Sequence, residues 1–240
     1  MMALETSIPY KGKELDLFAE VMIWKRYWKS FIREFLGSHV LEVGAGIGAS
    51  IEVFADDTFS SWLGLEPDPK MVDLLKARQG RGEFPAWCDF KQGTIRDLAA
   101  SDQFDAILYI DVLEHIREDV AEIEQAAKHV EMGGHIVVVA PSHQFLYSEF
   151  DSSVGHVRRY DRHSLGSLTP RDFSIVASKY LDSVGLLASL GNRFILHSPM
   201  PTRRQLWIWD KILVRLSRVV DPLLRYSFGK SIVFVWQRDL

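Results

Sequence analysis

The stretch VLEVGAGIGAS, Val40–Ser50, decides the fold. Residues 39–43 read as a short apolar strand, and Gly44, Gly46 and Gly48 follow it directly. Glycine is needed where a chain turns sharply and where backbone must touch a ligand with no Cβ in the way. The pattern predicts strand, tight loop and then a helix over 46–54, whose exposed N–H groups and positive end favour a carboxylate or phosphate. A glycine triplet alone serves equally well as a plain strand-to-helix turn.

Outward from this loop, strand and helix patterns alternate. Residues 62–65 read as a second strand, and 68–78 as a helix with Pro69 in its first turn. FDAILYI (104–110) and 135–140 are near-continuous apolar runs, as strands buried on both faces should be. Between them 117–131 is amphipathic, with Val120, Ile123, Ala127 and Val130 inward and Gly133-Gly134 as the stop. Such alternation means βαβ units and a parallel sheet, whose ligands sit beyond the carboxyl ends of the strands. Residues 44–48, 66–68, 93–95, 111–115 and 141–147 therefore converge on one crevice.

Two carboxylates sharpen the reading. Glu66 ends the second strand, where an acid accepts from vicinal ribose hydroxyls, although it could also cap the helix at Asp68. Glu42 lies two residues before Gly44, where it would repel a pyrophosphate but suit an ammonium group. Charge matching favours S-adenosylmethionine over NAD.

The segments VLEVGAGIG, LGLEPD, FDAILYIDVLEHI and GGHIVVVAP resemble the successive motifs of class I S-adenosylmethionine-dependent methyltransferases, in the ubiquinone-biosynthesis-like branch. The resemblance covers roughly residues 38–184. It implies an α/β fold, a Rossmann-like, mostly parallel sheet of seven strands whose last strand, 230–236, is antiparallel, with helices on both faces. It further implies that Glu42 and the loop Gly44, Ala45, Gly46 and Gly48 hold the methionine end, and Glu66 the ribose. Pro67 would lie on one adenine face, Thr94 and Ile95 at its edge, and the Asp111 carbonyl, beside Val112, at the methionine ammonium. Thr94 stands where the family commonly has Asp, a weaker acceptor for the adenine amino group.

The loop 141–165, with GHVRRY at its centre, resembles a G-H-x-R-R-Y signature in a subset of these enzymes, often encoded near lipid-linked-sugar or other glycosyl-transfer genes. His156 is the first candidate for a catalytic base, His143 the second, and His115 the third unless Glu114 and His115 merely cap a helix and wall the pocket. Tyr147, Arg158, Arg159 and Tyr160 are candidate acceptor-binding groups; equally, the arginines could pair with Asp151, Asp161 or Glu149 and fix the loop. No residue spacing demands a metal.

One domain of 240 residues accommodates these features: a lid helix (14–36), with Lys25 among its solvated positions, the cofactor-binding core (38–184) and a helical insertion (185–228) before the last strand. Within that insertion 206–224 is rich in Trp and Leu. It packs as core or dimer interface, or leans on a membrane surface with Arg203, Arg204, Lys211, Arg215 and Arg218 outward. Net charge is −4, which argues against a nucleic-acid partner. The single cysteine, Cys88, excludes an intramolecular disulfide and fits a reducing compartment, and no stretch reads as a secretory signal, so a cytoplasmic location is expected. Together these features point to a methyltransferase for a small-molecule acceptor, with oxygen or nitrogen as target. The alternative is a methyltransferase-like binding or scaffold subunit, motivated by Thr94 and by the lack of an unambiguous base.

Overall fold

The computed structural model describes residues 18–55, 57, 59–191 and 202–240. Parts of the expected helices at 14–36 and 186–196 fall outside them. The strands are β1 (His39–Val43), β2 (Ser61–Glu66), β3 (Cys88–Gln92), β4 (Phe104–Ile110), β5 (Val130–Pro141), β6 (Phe173–Leu181) and β7 (Ser231–Arg238). They form one sheet in the order β3-β2-β1-β4-β5-β7-β6, and β7 runs antiparallel to both β5 and β6. This is the seven-stranded, Rossmann-like arrangement expected from the motifs.

The sheet is buried on both faces because its strands are apolar at successive positions. Val40, Ala106, Leu108, Val137 and Val235 point to one core, while Leu41, Ile107, Tyr109, Val138 and Phe234 point to the other. On the first face lies α1 (Met22–Ile32), anchored by Trp28 and Ile32. Also on that side are α7 (Arg203–Ile208), a π turn (Trp209–Leu213) and α8 (Val214–Leu223), which follow one another without a break in helical backbone. The opposite face is covered by α3 (Asp119–Ala127) and α5 (Arg162–Gly166). The remaining helices are α2 (Pro69–Gly80), α4 (Glu149–Val154) and α6 (Ser183–Gly191).

Three local expectations are corrected. No α-helix follows the glycine loop; turns lead to a short 3₁₀ turn at Ile51–Phe54, so the loop amides act without a helix behind them. Gly133-Gly134 do not stop a helix, because α3 has already ended. Val130 pairs with Phe104 and His135 with Ala106, so residues 131–134 bulge out, and Gly134 approaches the Asp105 carbonyl so closely that a Cβ would lie 2.8 Å from it. On α3, Val120 is exposed and the inward face instead carries Asp119 and Glu122 beside Ile123 and Ala126. Glu122 is accommodated because the Tyr109 hydroxyl donates to it over 3.1 Å.

The C-terminal helices are tied down by buried acids. Asp221 accepts from the Tyr27 hydroxyl (2.8 Å) and from the backbone N–H groups of Asp182 and Ser183. Asp182 accepts from Trp209 Nε1 at 2.7 Å, and Asp210 accepts from the Trp24 N–H at 2.8 Å. Buried carboxylates stay only where such donors satisfy them. This network holds α1 and the Trp209 indole over the sheet end.

Candidate active site

Strand β1 delivers Glu42 to the foot of the glycine loop. The acid is 1% exposed; Ser50 Oγ donates to one of its oxygens and Trp62 Nε1 to the other at 3.1 Å. Burial pushes its pKa up to about 7 against those two hydrogen bonds. Above it Gly44 has φ +72°, and a Cβ there would lie 2.6 Å from Val112 Cγ2, so both backbone and space require glycine. Strand β2 delivers Glu66, which accepts from the Gly46 N–H at 2.8 Å and the Asp68 N–H at 3.0 Å. Glu66 therefore grips the loop from the neighbouring strand tip, while Glu42, beneath it, holds Ser50 just past the loop and Trp62 on β2.

A cavity of about 270 Å³ opens beside this loop at the carboxyl ends of β1 and β4. Glu42, Gly44, Ala45, Gly46, Asp111, Val112, His115, His156 and Arg159 all line it. Glu66, Pro67, Thr94 and Ile95 lie beyond it, along the tips of β2 and β3, and Gly48 lies outside it in the loop after β1, beside Phe84 and Leu75. Thr94 caps a 3₁₀ turn, its hydroxyl donating to Asp97 at 2.9 Å. Asp111 adopts φ +53° and opens onto the cavity; surrounding protein raises its carboxyl pKa to about 6 against the pull of His156, Lys230 and Lys25. Glu114 is fully buried, neither of its oxygens accepts a hydrogen bond among the described residues, and its pKa is driven well above the usual range by burial and then by Asp111.

Of the three candidate histidines, His156 is the one that both lines the cavity and has a carboxylate hydrogen-bonded to its ring. Its Nδ1 lies 2.9 Å from Asp151 Oδ1, leaving Nε2 toward the cavity, 3.7 Å from Glu114 Oε1. Asp151 also accepts from Arg159 Nε at 2.8 Å and Nη2 at 3.0 Å, and from the N–H and hydroxyl of Ser148, both at 2.9 Å. His115 stands edge-on to His156, ring centroids 4.6 Å apart, and burial lowers its pKa to about 4, so it is a neutral imidazole. It does not cap a helix: α3 starts at Asp119, and residues 113–115 form a separate 3₁₀ turn that walls the cavity. Glu114, His115 and His156 also present ligand atoms within 4.8 Å of one another, a grouping that could take a cation. Sequence spacing hid it, because His156 comes from a different loop.

Other candidates go elsewhere. His143 is not brought to the cavity: its ring is stacked between Phe145 and Tyr180, at 5.1 and 4.7 Å. Arg158 pairs with Asp119, an acid on α3, and donates to the Arg117 carbonyl at 2.7 Å. The Tyr160 hydroxyl donates to the same Asp119 at 2.8 Å, and Tyr147 donates to the His156 carbonyl at 2.7 Å. In GHVRRY, then, Arg158 and Tyr160 brace the loop while His156 and Arg159 face inward.

Residues missed in the sequence complete the wall. Lys25 is 7% exposed rather than solvated and lines the cavity, donating to the Ala19 carbonyl at 2.8 Å. Burial lowers its pKa, opposed by Glu52, Asp210, Asp111 and Glu42. Its position four residues after Val21 and three before Trp28, both on the apolar face, was the available signal. Trp24, Trp209 and Phe18 roof the cavity, Phe18 lying 6.3 Å from both Phe150 and Trp209. Cys88 is a packing residue, its thiol pushed up to about 12 by burial.

Comparison with known proteins bears on the fold and the family. Residues 41–138 match a family described as a methyltransferase domain. The chain is 31% identical over 121 residues to a demethylmenaquinone methyltransferase of Tropheryma whipplei (strain Twist), covering 50% of this chain and 48% of that protein. It is 28% identical over 108 residues to a ubiquinone biosynthesis O-methyltransferase of Azorhizobium caulinodans, covering 45% and 42%. The matched region thus spans about half the length of these relatives. Among solved structures, the [4+2]-cyclase SpnF superposes with TM-score 0.61 at 17% identity, over 90% of this chain and 81% of that one. The plantazolicin methyltransferase BpumL in complex with SAH superposes with TM-score 0.54 at 12% identity, over 94% and 84%. A cyclase on this fold shows that the fold alone does not fix the chemistry. The chain matches the methyltransferase domain family over residues 41–138, and the sheet that carries them has the Rossmann-like methyltransferase fold.

Proposed function

We propose that this protein is an S-adenosylmethionine-dependent methyltransferase that methylates an oxygen or nitrogen of a small molecule, with His156 as the base. One observation carries the reading: Glu42, Asp111 and the Asp151–His156 pair all address a single cavity beside the glycine loop. Bound there, the cofactor supplies a methyl group on a positively charged sulfur. Glu42 and Asp111 present carboxyl groups at that end of the cavity, which suits a cationic ligand and opposes a pyrophosphate. Lys25 is the nearby cation for the methionine carboxylate, and the Gly44–Gly46 backbone lets that group approach. Glu66 would hold the ribose hydroxyls, Pro67 would lie on the adenine, and Thr94 and Ile95 would stand at its edge.

On the acceptor side, Asp151 fixes the His156 ring through Nδ1, which leaves Nε2 to hold the proton that an acceptor would lose on receiving the cofactor's methyl group. Arg159 holds Asp151 ionised. The aromatic roof suits an acceptor with apolar or ring surface, including a sugar- or lipid-linked one, and excludes water from the transfer path. A purely binding or scaffold role is not favoured, since a base oriented by a carboxylate faces the cavity.

Titration calorimetry tests this. Heat with S-adenosylmethionine and S-adenosylhomocysteine, weakened about 10-fold or more by Lys25→Met through loss of a charged hydrogen bond, is expected. Heat with NAD and none with either methionyl ligand would overturn it.

A further inference from the structure

Helices α7 and α8 with the π turn between them show two opposite faces. The inner one carries Leu206, Asp210, Val214, Ser217 and Asp221, all buried. The outer one carries Trp207 (57% exposed), Ile212, Leu216, Val219 (65%) and Leu223 (78%). Leu216, Val219 and Leu223 follow at steps of four, three and four from Ile212, an ordinary helical stripe. Trp207 lies five residues before Ile212, off the stripe of a regular α-helix; the π turn at Trp209–Leu213 absorbs the extra residue and keeps it in line. The stripe is roughly 24 Å long at ~1.5 Å per residue. Leu187, Leu224 and Phe228 are exposed on neighbouring segments.

The charge around this stripe is predominantly basic, with Glu20 paired to Arg203 at its start. Arg203, Arg204, Arg215, Arg218 and Arg225 are all exposed, and the only acids of the rod, Asp210 and Asp221, are buried and occupied by Trp24 and Tyr27. Arg204, Arg215 and Arg225 have no ion pair among the described residues. The whole chain is nonetheless acidic, at −4. A second copy docking through the same face would set arginine against arginine, with Glu20, already paired to Arg203, as the exposed acid beside the rod among the described residues, so symmetric pairing is disfavoured. An apolar stripe flanked by arginines matches instead a surface that offers acyl chains beneath anionic headgroups.

We infer that the α7–α8 face docks on an anionic lipid bilayer, lying in its interface with Trp207, Leu216, Val219 and Leu223 inserted and the arginines at the headgroups. No helix among the described residues is long and apolar enough to cross a membrane, so the contact is peripheral. The inference does not depend on the reaction proposed above, although Trp209 of the same rod roofs the cavity.

Vesicle flotation of the full chain tests it, using phosphatidylcholine alone and phosphatidylcholine with about 30% phosphatidylglycerol. Binding is expected only to the anionic vesicles and falls as salt rises. Arg204→Gln/Arg215→Gln should lower the partition coefficient about 30-fold, two surface charges' worth, and Leu216→Gln/Val219→Gln should abolish it while the melting temperature stays unchanged. In lipid-free protein, Val219→Cys should react rapidly with a water-soluble maleimide, since Cys88 is buried. Equal or no binding to both vesicles would overturn the inference. So would a slow Val219→Cys reaction, meaning that another part of the chain covers the face, or a stable dimer that the Leu216→Gln/Val219→Gln variant dissociates.

Discussion

Replacing Asp151 by Asn tests the centre of the site through stability alone, with no acceptor needed. The carboxylate is fully buried and accepts from His156 Nδ1, from Arg159 through two nitrogens, and from Ser148 through its N–H and hydroxyl. Asparagine keeps the volume but loses the charge and turns an N–H₂ toward these donors. Arg159, whose side chain is 8% exposed, is then left without its counter-ion. Breaking a buried pair on one side costs about 3–5 kcal/mol. For a chain of 240 residues, at roughly 2–4 °C per kcal/mol, melting should fall by roughly 6–20 °C. The double variant Asp151→Asn/Arg159→Gln should recover part of this, because no charge is orphaned. The pH dependence has a defined sign. Burial pushes the Asp151 carboxyl up, but hydrogen bonds from His156 and Arg159 outweigh it and hold the group well below the usual 3.8. Its stabilisation is therefore complete above that unfolded value and disappears as pH falls toward the folded one. Urea melts should show the largest gap between wild type and variant at neutral pH, narrowing below about pH 4. A variant within 1 kcal/mol of wild type at neutral pH, a scale set by surface pairs, or a gap that widens in acid, would refute the reasoning.

Glu42 behaves in the opposite sense. Its folded pKa, about 7, exceeds the ordinary 4.5, so between these values the folded state binds more protons and stability falls as pH rises. Glu42→Gln should flatten that slope and gain roughly 1–3 kcal/mol at pH 8, measured by denaturant titration across the range; an unchanged slope would count against it. For catalysis, His156→Ala should lower S-adenosylhomocysteine formation from S-adenosylmethionine in cell extract about 10²–10⁴-fold. His143→Ala should leave it unchanged, and equal losses would remove His156 from its role.

Glu42, the three glycines and Glu66 could be read in order because each acts within a few residues of its own strand end, where parallel pairing fixes the crevice. The alternation of strand and helix gave the sheet for the same reason: its pattern is local and periodic. Lys25 was misread because its neighbours on one turn do not reveal that α1 lies across the sheet end, with that edge turned inward. Arg158 and Arg159 are adjacent and chemically identical, yet one meets Asp119 and the other Asp151.

The sequence by itself thus determined the strand–loop–strand frame and the two acids that hold it, since hydrophobic period and glycine conformation are properties of short segments. Only the tertiary structure decided that His156, not His143, faces the cavity, that Asp151 orients it, and that α7–α8 present an arginine-flanked apolar face outward. These depend on contacts between residues far apart in the chain, whose pairing is set by how helices pack on the sheet rather than by any local pattern.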